Sequence, residues 1–309
     1  MLPAMPGPAA PPEEAVAGAP GPRYLVCGNV TLDRRAGGLF VPGGSAFYCS
    51  RTAAGLGASV CVATAAGPDF DPAVLGRVAV QIRAAPATTI FENVHEPGGR
   101  RRQRVLASAG PITPMVNGPS STAGAWRTTD VLHLAPILNE VTPRDWIEAV
   151  RARVVGLGLQ GLIRRVGPDG DVHQPRWTPE PGSLDGVGAV FLGEDELVGQ
   201  DDLVGRLVAA GVPLVVLTRS VNGCEIHAGP RVARVGAYPT HEVDPTGAGD
   251  VFAAAFLLAL AAGADPVEAA CLGAAAGSIA VEGVGGEALA HIGEARARAH
   301  AVKVLSTGS

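Results

Sequence analysis

Short apolar runs recur along the chain between longer stretches with helical spacing, and this alternation governs the reading of the fold. Arg23-Tyr-Leu-Val-Cys-Gly-Asn-Val30 reads as a first buried strand, and Gly43-Gly44 opens a helix that ends near Leu56-Gly57. Ser59 to Ala66 is a second strand, and Asp130 to Leu138, Val187 to Leu192 and Val212 to Thr218 are further ones. Thr142-Pro143 marks a helix start with proline in the first turn, and this helix is expected to run to about Val155. Asp195 to Ala210 is read as another helix, and the chain beyond Gly247 as nearly all helix. Strands alternating with helices predict an α/β fold with a mainly parallel sheet covered on both faces. Thr88 to Val94 and Arg100 to Ala107, flanking Glu96-Pro97-Gly98-Gly99, break that rhythm; they read as a hairpin appended to the sheet as a lid.

Composition narrows the chemistry. A net charge of -5 and an aromatic content of 4% offer neither the basic surface nor the stacking platforms that nucleic acid requires. Of the 24 basic residues only Lys303 is a lysine. Arginine stays protonated and cannot serve as an amine nucleophile. Schiff-base and pyridoxal chemistry are therefore excluded, as are the lysine-dependent phosphate sites of P-loop proteins and protein kinases. The five cysteines are scattered, with an odd total and no CxxC pair, which fits reduced thiols in a cytoplasmic protein. Residues 1–22 form a Pro/Ala/Gly-rich stretch without the basic start and apolar centre of a signal peptide, and read as a disordered tail. The longest apolar stretch, Val251 to Gly263, is too short for a membrane span, so no membrane partner is expected.

The segment richest in chemistry is His241-Glu-Val-Asp-Pro-Thr-Gly-Ala-Gly-Asp250, followed by the apolar VFAAAFLLALAAG. Small residues at Gly247, Ala248 and Gly249 enter a long helix, whose first N–H groups and dipole make an anion site that a phosphate can approach closely. A carboxylate at Asp250 would repel that phosphate, so its use is to take a proton from a hydroxyl attacking it. The plainer alternative is a first-turn carboxylate that only stabilises the helix.

Asp244-Pro-Thr-Gly-Ala-Gly-Asp250 resembles the DTxGAGD signature of the ribokinase-like (PfkB) family of sugar and nucleoside kinases. A second signature of that family is matched by Gly43-Gly44-Ser-Ala-Phe-Tyr-Cys-Ser-Arg-Thr-Ala-Ala-Gly-Leu-Gly-Ala58, ahead of Ala66-Gly-Pro-Asp69. The resemblance extends over roughly residues 23–305 and implies a three-layer α/β/α kinase domain with a small β lid from about 34–42 and 88–107. It implies Asp250 as catalytic base, Gly247, Ala248 and Gly249 as the anion hole, and Asp33 with Gly43 and Gly44 on the acceptor hydroxyls. Thr218 and Gly223 match the nucleotide-side TxGxxG, and the adenine of ATP would lie near Ala274 and Gly277. Glu196 corresponds to the glutamate that orders the Mg2+ hydration shell. Asp244, Thr246, Ala280, Gly283 and Gly285 fall where relatives hold a monovalent cation such as K+, largely through backbone carbonyls.

Three departures stand out. Ser220 replaces the first glycine of TxGxxG, Gly193 replaces the asparagine of NxxE, and Tyr48 stands where ribokinases carry an acceptor-binding asparagine. The stretches Thr88–Asn93, Gly99–Arg104, Leu132–Glu140 and Leu159–Arg164 look like the inositol-kinase branch. They make Asn93, Arg102 and Asn139, with Arg100 and Gln103 nearby, candidate contacts for a cyclitol or sugar. Another sugar, a nucleoside, or a non-catalytic polyol or nucleotide sensor remain the alternatives. Only nine residues, 34–42, separate Asp33 from Gly43, which predicts a reduced lid and leaves monomer and homodimer both open.

Overall fold

The computed structural model describes residues 21–95, 101–114 and 122–307. The tail reading of residues 1–20 and the hairpin tip with Arg100 lie outside the described residues. The strands are β1 Arg23–Cys27, β2 Thr31–Arg34, β3 Phe40–Gly43, β4 Ser59–Ala66, β5 Ala79–Ala84, β6 Thr89–His95, β7 Arg101–Ala107 and β8 Thr128–Leu134. They continue as β9 Arg151–Gly158, β10 Arg165–Val166, β11 Val172–His173, β12 Ala189–Gly193, β13 Leu214–Thr218, β14 Cys224–Ala228, β15 Arg231–Val235 and β16 Val304–Ser306. The helices are α1 Ser45–Gly55, α2 Thr122–Ala125, α3 Pro143–Ala149, α4 Gln160–Ile163, α5 Leu203–Ala209, α6 Ala248–Ala261, α7 Pro266–Ala280 and α8 Ala295–Ala299.

Ten strands form the central sheet in the order β16-β15-β14-β13-β12-β9-β8-β1-β4-β5. All pairs from β13 to β5 are parallel, and β14, β15 and β16 extend the edge antiparallel. Successive residues of β1 face opposite layers, as strand alternation requires. Tyr24 and Val26 pack with α1, α6 and α7, while Leu25 and Cys27 pack with Trp146 of α3 and with Leu203 and Leu207 of α5. Helix α6 is apolar around its whole circumference, and Val251 to Leu258 are all buried between the sheet, α1 and α7.

The chain departs from β1 to partners on both sides, β4 and β8. Such a switch in strand order opens a crevice beyond the carboxyl ends of parallel strands, where open α/β sheets hold ligands. A second sheet, ordered β3-β2-β6-β7, rises from that edge. It has four strands, more than the short 34–42 span suggests, because β2 and β3 are only four residues each and are joined by residues 35–39, which hold a short 3-10 segment.

Three sequence expectations are corrected. The helix from Thr142 stops at Ala149, and the residues expected to continue it form β9. Val154 and Val155 are β-branched and Gly156 and Gly158 disfavour helix, so this run pairs between β8 and β12 instead. The Asp195–Ala210 helix is a 3-10 turn, Glu194–Leu197, and the separate α5, divided at Gly199. β5, the β14–β15 hairpin and β16 extend the sheet beyond the strands expected from the apolar runs.

Candidate active site

Helix α6 starts at Gly247, whose φ of 82° lies in the left-handed region. A Cβ on this residue would stand 2.5 Å from Tyr48 Cγ, so the turn tolerates only glycine. Ala248 N–H makes a turn bond to Pro245 O at 3.2 Å. The first-turn amides of Gly249 and Asp250 have no intrahelical acceptor and stand at the positive end of the dipole. Part of Asp250 reaches solvent, yet desolvation of its carboxyl is the largest influence on it and pushes its pKa up to about 6. The Ser45 hydroxyl and the Arg164 guanidinium draw it back down, and the Glu196 carboxylate pushes it up.

On one side of Asp250 lie the ends of β9, β12 and β13. Glu196 is buried; its Oε2 accepts from Gly193 N–H at 2.6 Å and its Oε1 from Gln160 Nε2 at 3.5 Å. Burial raises its pKa, against the Gly193 amide and Arg164. Glycine at 193 lets the glutamate fold back onto the strand end, where an added Cβ would come within 3.1 Å of Glu196 Oε2. Arg164, immediately after α4, thus acts electrostatically on both Asp250 and Glu196. Thr218 ends β13 with its hydroxyl donating to Leu192 O at 3.4 Å, and Ser220 and Gly223 follow with φ of 48° and 83°. Ala274 and Gly277 lie on α7, which packs against α6, β14 and β15.

On the other side stands the second sheet. Asp33 on β2 accepts from the Thr31 hydroxyl at 2.8 Å and rests against Gly43, where a Cβ would lie 2.7 Å from its Oδ2. Tyr48 of α1 links the two sides. Burial first, then the carboxylates of Asp33, Asp244 and Asp250, hold its phenol above the usual range, against Arg35. Gly44 begins α1 beside Asn29 and Thr31. Register places Asp33 opposite Phe91, Phe91 opposite Val105, and Asn93 opposite Gln103, so these residues share one face of the lid. Gln103 Nε2 donates to Asn93 Oδ1 at 3.0 Å.

Two candidate contacts are not brought to this group. Arg102 belongs to the opposite lid face and is held by Asp171, with Asp169 Oδ2 at 3.6 Å. Strand alternation separates it from Gln103 and Asn93. Asn139, at φ 66°, lines a different cleft with Pro143, Leu162, Arg165, Arg176 and Trp177. Its neighbour Glu140 is the organising side chain: buried, it accepts from the backbone of Asn29, Ile137 and Leu138 and ties the ends of β1 and β8 together.

The residues assigned to a monovalent cation do come together. Val243 and Asp244 N–H both donate to Val281 O, just past Ala280 at the end of α7 and ahead of Gly283. Asp244 Oδ1 accepts from Thr246 N–H at 3.0 Å, and Oδ2 from Gly285 N–H at 3.1 Å. Arg35 adds a third bond, from Nη2 to Oδ2 at 3.0 Å. Burial pushes the Asp244 carboxyl up, but these hydrogen bonds prevail and bring it down to about 2. The one carboxylate of this set is already paired with a guanidinium, so a K+ here would meet a like charge beside it. Magnesium is a different case. Among the described residues no cluster of three or more His, Cys, Asp or Glu could cage a metal. Glu196 fits a Mg2+ that keeps its waters and is carried in by phosphates.

Arg35, Ser45, Gln160, Arg164 and Glu140 were not singled out by sequence. Ser45 and Arg164 did lie inside matched stretches, whereas Arg35 follows Asp33 without any motif of its own.

The parallel sheet, the second sheet at its carboxyl edge and the glycine turn into α6 give a ribokinase-like α/β/α fold. A pyrophosphate-dependent kinase of the ribokinase family, solved with a pyrophosphate analog and myo-inositol, superimposes with a TM-score of 0.70 at 20% identity over 85% of this chain and 96% of its own. The model of the pfkB family of carbohydrate kinases matches residues 190–291, about a third of the chain. Among curated proteins, inositol 3-kinase of Zea mays is 33% identical over 152 residues, which is 48% of this chain and 39% of that one. Bifunctional protein HldE of Mesorhizobium japonicum is 44% identical over 97 residues, 31% of this chain and 19% of that one. The matched stretches thus cover well under half the length of either relative.

Proposed function

We propose that the protein is a small-molecule kinase that transfers the γ-phosphoryl group of ATP to a hydroxyl of a cyclitol or sugar, with myo-inositol the first acceptor to test. The observation that carries this reading is the position of Asp250, with a carboxyl raised to about 6, beside the first amides of α6 and between Glu196 and Tyr48. In the reaction the acceptor hydroxyl gives its proton to the Asp250 carboxylate as its oxygen bonds to the γ-phosphorus, and the bond to the leaving ADP oxygen breaks. Within the Gly247–Gly249 turn the Ala248 amide is used by Pro245 O, so the amides of Gly249 and Asp250, with the nearby Arg164 charge, would stabilise the charge that develops on the phosphoryl oxygens. Glu196 would hold the hydration shell of a Mg2+ ion, which when bound would neutralise charge on the donor phosphates. Asp33, Asn93 and Gln103 would hold the acceptor's other hydroxyls, and the lid would exclude water that otherwise competes as acceptor.

A second reading of the donor rests on Ser220, a non-glycine residue at φ 48° on the nucleotide side, together with the pyrophosphate dependence of the solved relative. Pyrophosphate would then replace ATP with the same base and anion turn. The deciding experiment measures phosphorylated product, with ATP or pyrophosphate as donor, against myo-inositol, its epimers, fructose, ribose and adenosine. Turnover with one cyclitol supports the reading. Turnover only with a nucleoside or furanose removes the cyclitol, and donor binding with no turnover at all moves the non-catalytic sensor to the front.

A further inference from the structure

We propose that Arg35, carried on the lid, is the built-in cation of the Asp244 loop and takes the place of a monovalent ion there. The inference rests on the kinase reading above and adds what holds its anion turn in shape.

The argument starts from the loop. Asp244 to Gly247 leads directly into α6, and its shape depends on the Asp244 carboxylate accepting from Thr246 N–H on one oxygen and Gly285 N–H on the other. These two bonds join the anion turn to the segment after α7. They fix the ionised carboxylate at a partly buried point, where a neighbouring cation is favoured. The Arg35 guanidinium lies there, 3.0 Å from Asp244 Oδ2. A Cβ built on Gly285 would meet Arg35 Nη2 at 3.8 Å and the Tyr48 hydroxyl at 4.0 Å, so the guanidinium sits over Gly285 between the carboxylate and the phenol. Asp244 and Gly285 belong to the predicted cation set, and a second cation on the same oxygen would meet a like charge at contact distance. Arginine keeps its charge at every working pH, so the balance does not depend on the ion content of the medium.

The origin of this charge matters as much as its place. Arg35 is two residues beyond Asp33, on the same lid strand's exit, and Arg34 between them pairs outward with Glu92 at 3.3 Å. The strand end that presents Asp33 to the acceptor therefore also delivers the cation to the anion turn. A free ion would arrive independently of the lid, whereas Arg35 arrives only with it. Arg35 is a positioning residue: it acts on the phosphoryl group through Asp244 and the α6 entry.

The test replaces K+ by tetramethylammonium at constant ionic strength and reads both turnover and thermal unfolding. Wild type should change less than about twofold in turnover between the two salts, with the same melting temperature. Arg35→Ala should lose about tenfold or more in tetramethylammonium and recover with a saturable dependence on KCl, which should also raise its melting temperature. Arg35→Lys, which keeps a charge, should remain insensitive to K+. Arg35→Gln repeats the experiment should the alanine variant fold poorly. Saturable K+ activation or stabilisation of wild type would overturn the proposal, as would Arg35→Ala and Arg35→Gln that respond to K+ in neither measurement. Should wild type turn over no acceptor, the kinase reading fails, and the unfolding measurements still decide the role of Arg35.

Discussion

The Tyr48 ring lies across Gly247 at the entry to α6 and fills the space where a side chain on residue 247 would begin. Phe47 holds the ring edge-on at 5.1 Å, and α1 is anchored by Gly44 at the start of the same helix. The anion turn is thus shaped from two directions, by its own left-handed backbone and by an aromatic wall from 199 residues earlier in the chain (247 minus 48).

Gly247→Ala should be costly on both counts. The left-handed conformation costs an alanine about 1–2 kcal/mol, and displacing the ring adds to it. Chemical unfolding should show a loss of about 2–4 kcal/mol, and kcat should fall as the first amides of α6 lose their aim. Tyr48→Ala should cost less in the Gly247→Ala chain than in wild type, because there it also removes the clash while the backbone strain stays. A double-mutant cycle with no coupling between the two positions would refute the packing described.

The raised carboxyl of Asp250 has a direct kinetic consequence. A base must be deprotonated to act, so kcat/KM should rise with pH through an apparent pKa near 6 and level above it. The Ser45 hydroxyl stabilises the ionised form, so Ser45→Ala should move that limb to higher pH. Removing the Arg164 charge should shift it in the same direction, with a higher KM for the donor. A pH–rate profile of each variant with saturating Mg-ATP checks the sign.

Asp250→Asn separates proton removal from binding. The amide keeps the shape but cannot take the proton, so kcat should fall by about 10²–10⁴ while calorimetry finds donor and acceptor bound much as before. An unchanged kcat would leave Asp250 as no more than a first-turn carboxylate of α6.

The sequence carried most where one local string does the work. Thr246 to Asp250 is contiguous, and a turn of small residues entering an apolar helix can be recognised without knowing its surroundings. The parallel strands were legible because burial on both faces makes them uninterrupted apolar runs. Arg35, Ser45 and Arg164 were not, since each acts on a partner more than 80 residues away (Arg164 and Asp250 differ by 86), which only the sheet edge brings together. β9 was misread because the end of α3 and the start of β9 meet at Val150 with no glycine or proline between them. Arg102 and Gln103 stand side by side among the candidate acceptor contacts, but adjacent strand residues face opposite ways, and the sequence cannot say which face meets the acceptor.

That last distinction gives the sharpest test of the lid. Asn93 and Gln103 lie on the Asp33 face and bond to each other, so Asn93→Ala or Gln103→Ala should raise the acceptor KM with little change in the donor KM. A lost neutral hydrogen bond of about 0.5–1.5 kcal/mol corresponds to a change of roughly two- to thirteenfold. Arg102 is half exposed on the other face and its carboxylate partners are Asp171 and Asp169. Arg102→Ala should therefore leave both KM values near wild type and cost at most about 1 kcal/mol of stability, as exposed ion pairs do. Measuring acceptor KM for all three variants on one acceptor decides the matter. A loss of acceptor affinity confined to Arg102→Ala would mean that the lid presents its other face to the substrate.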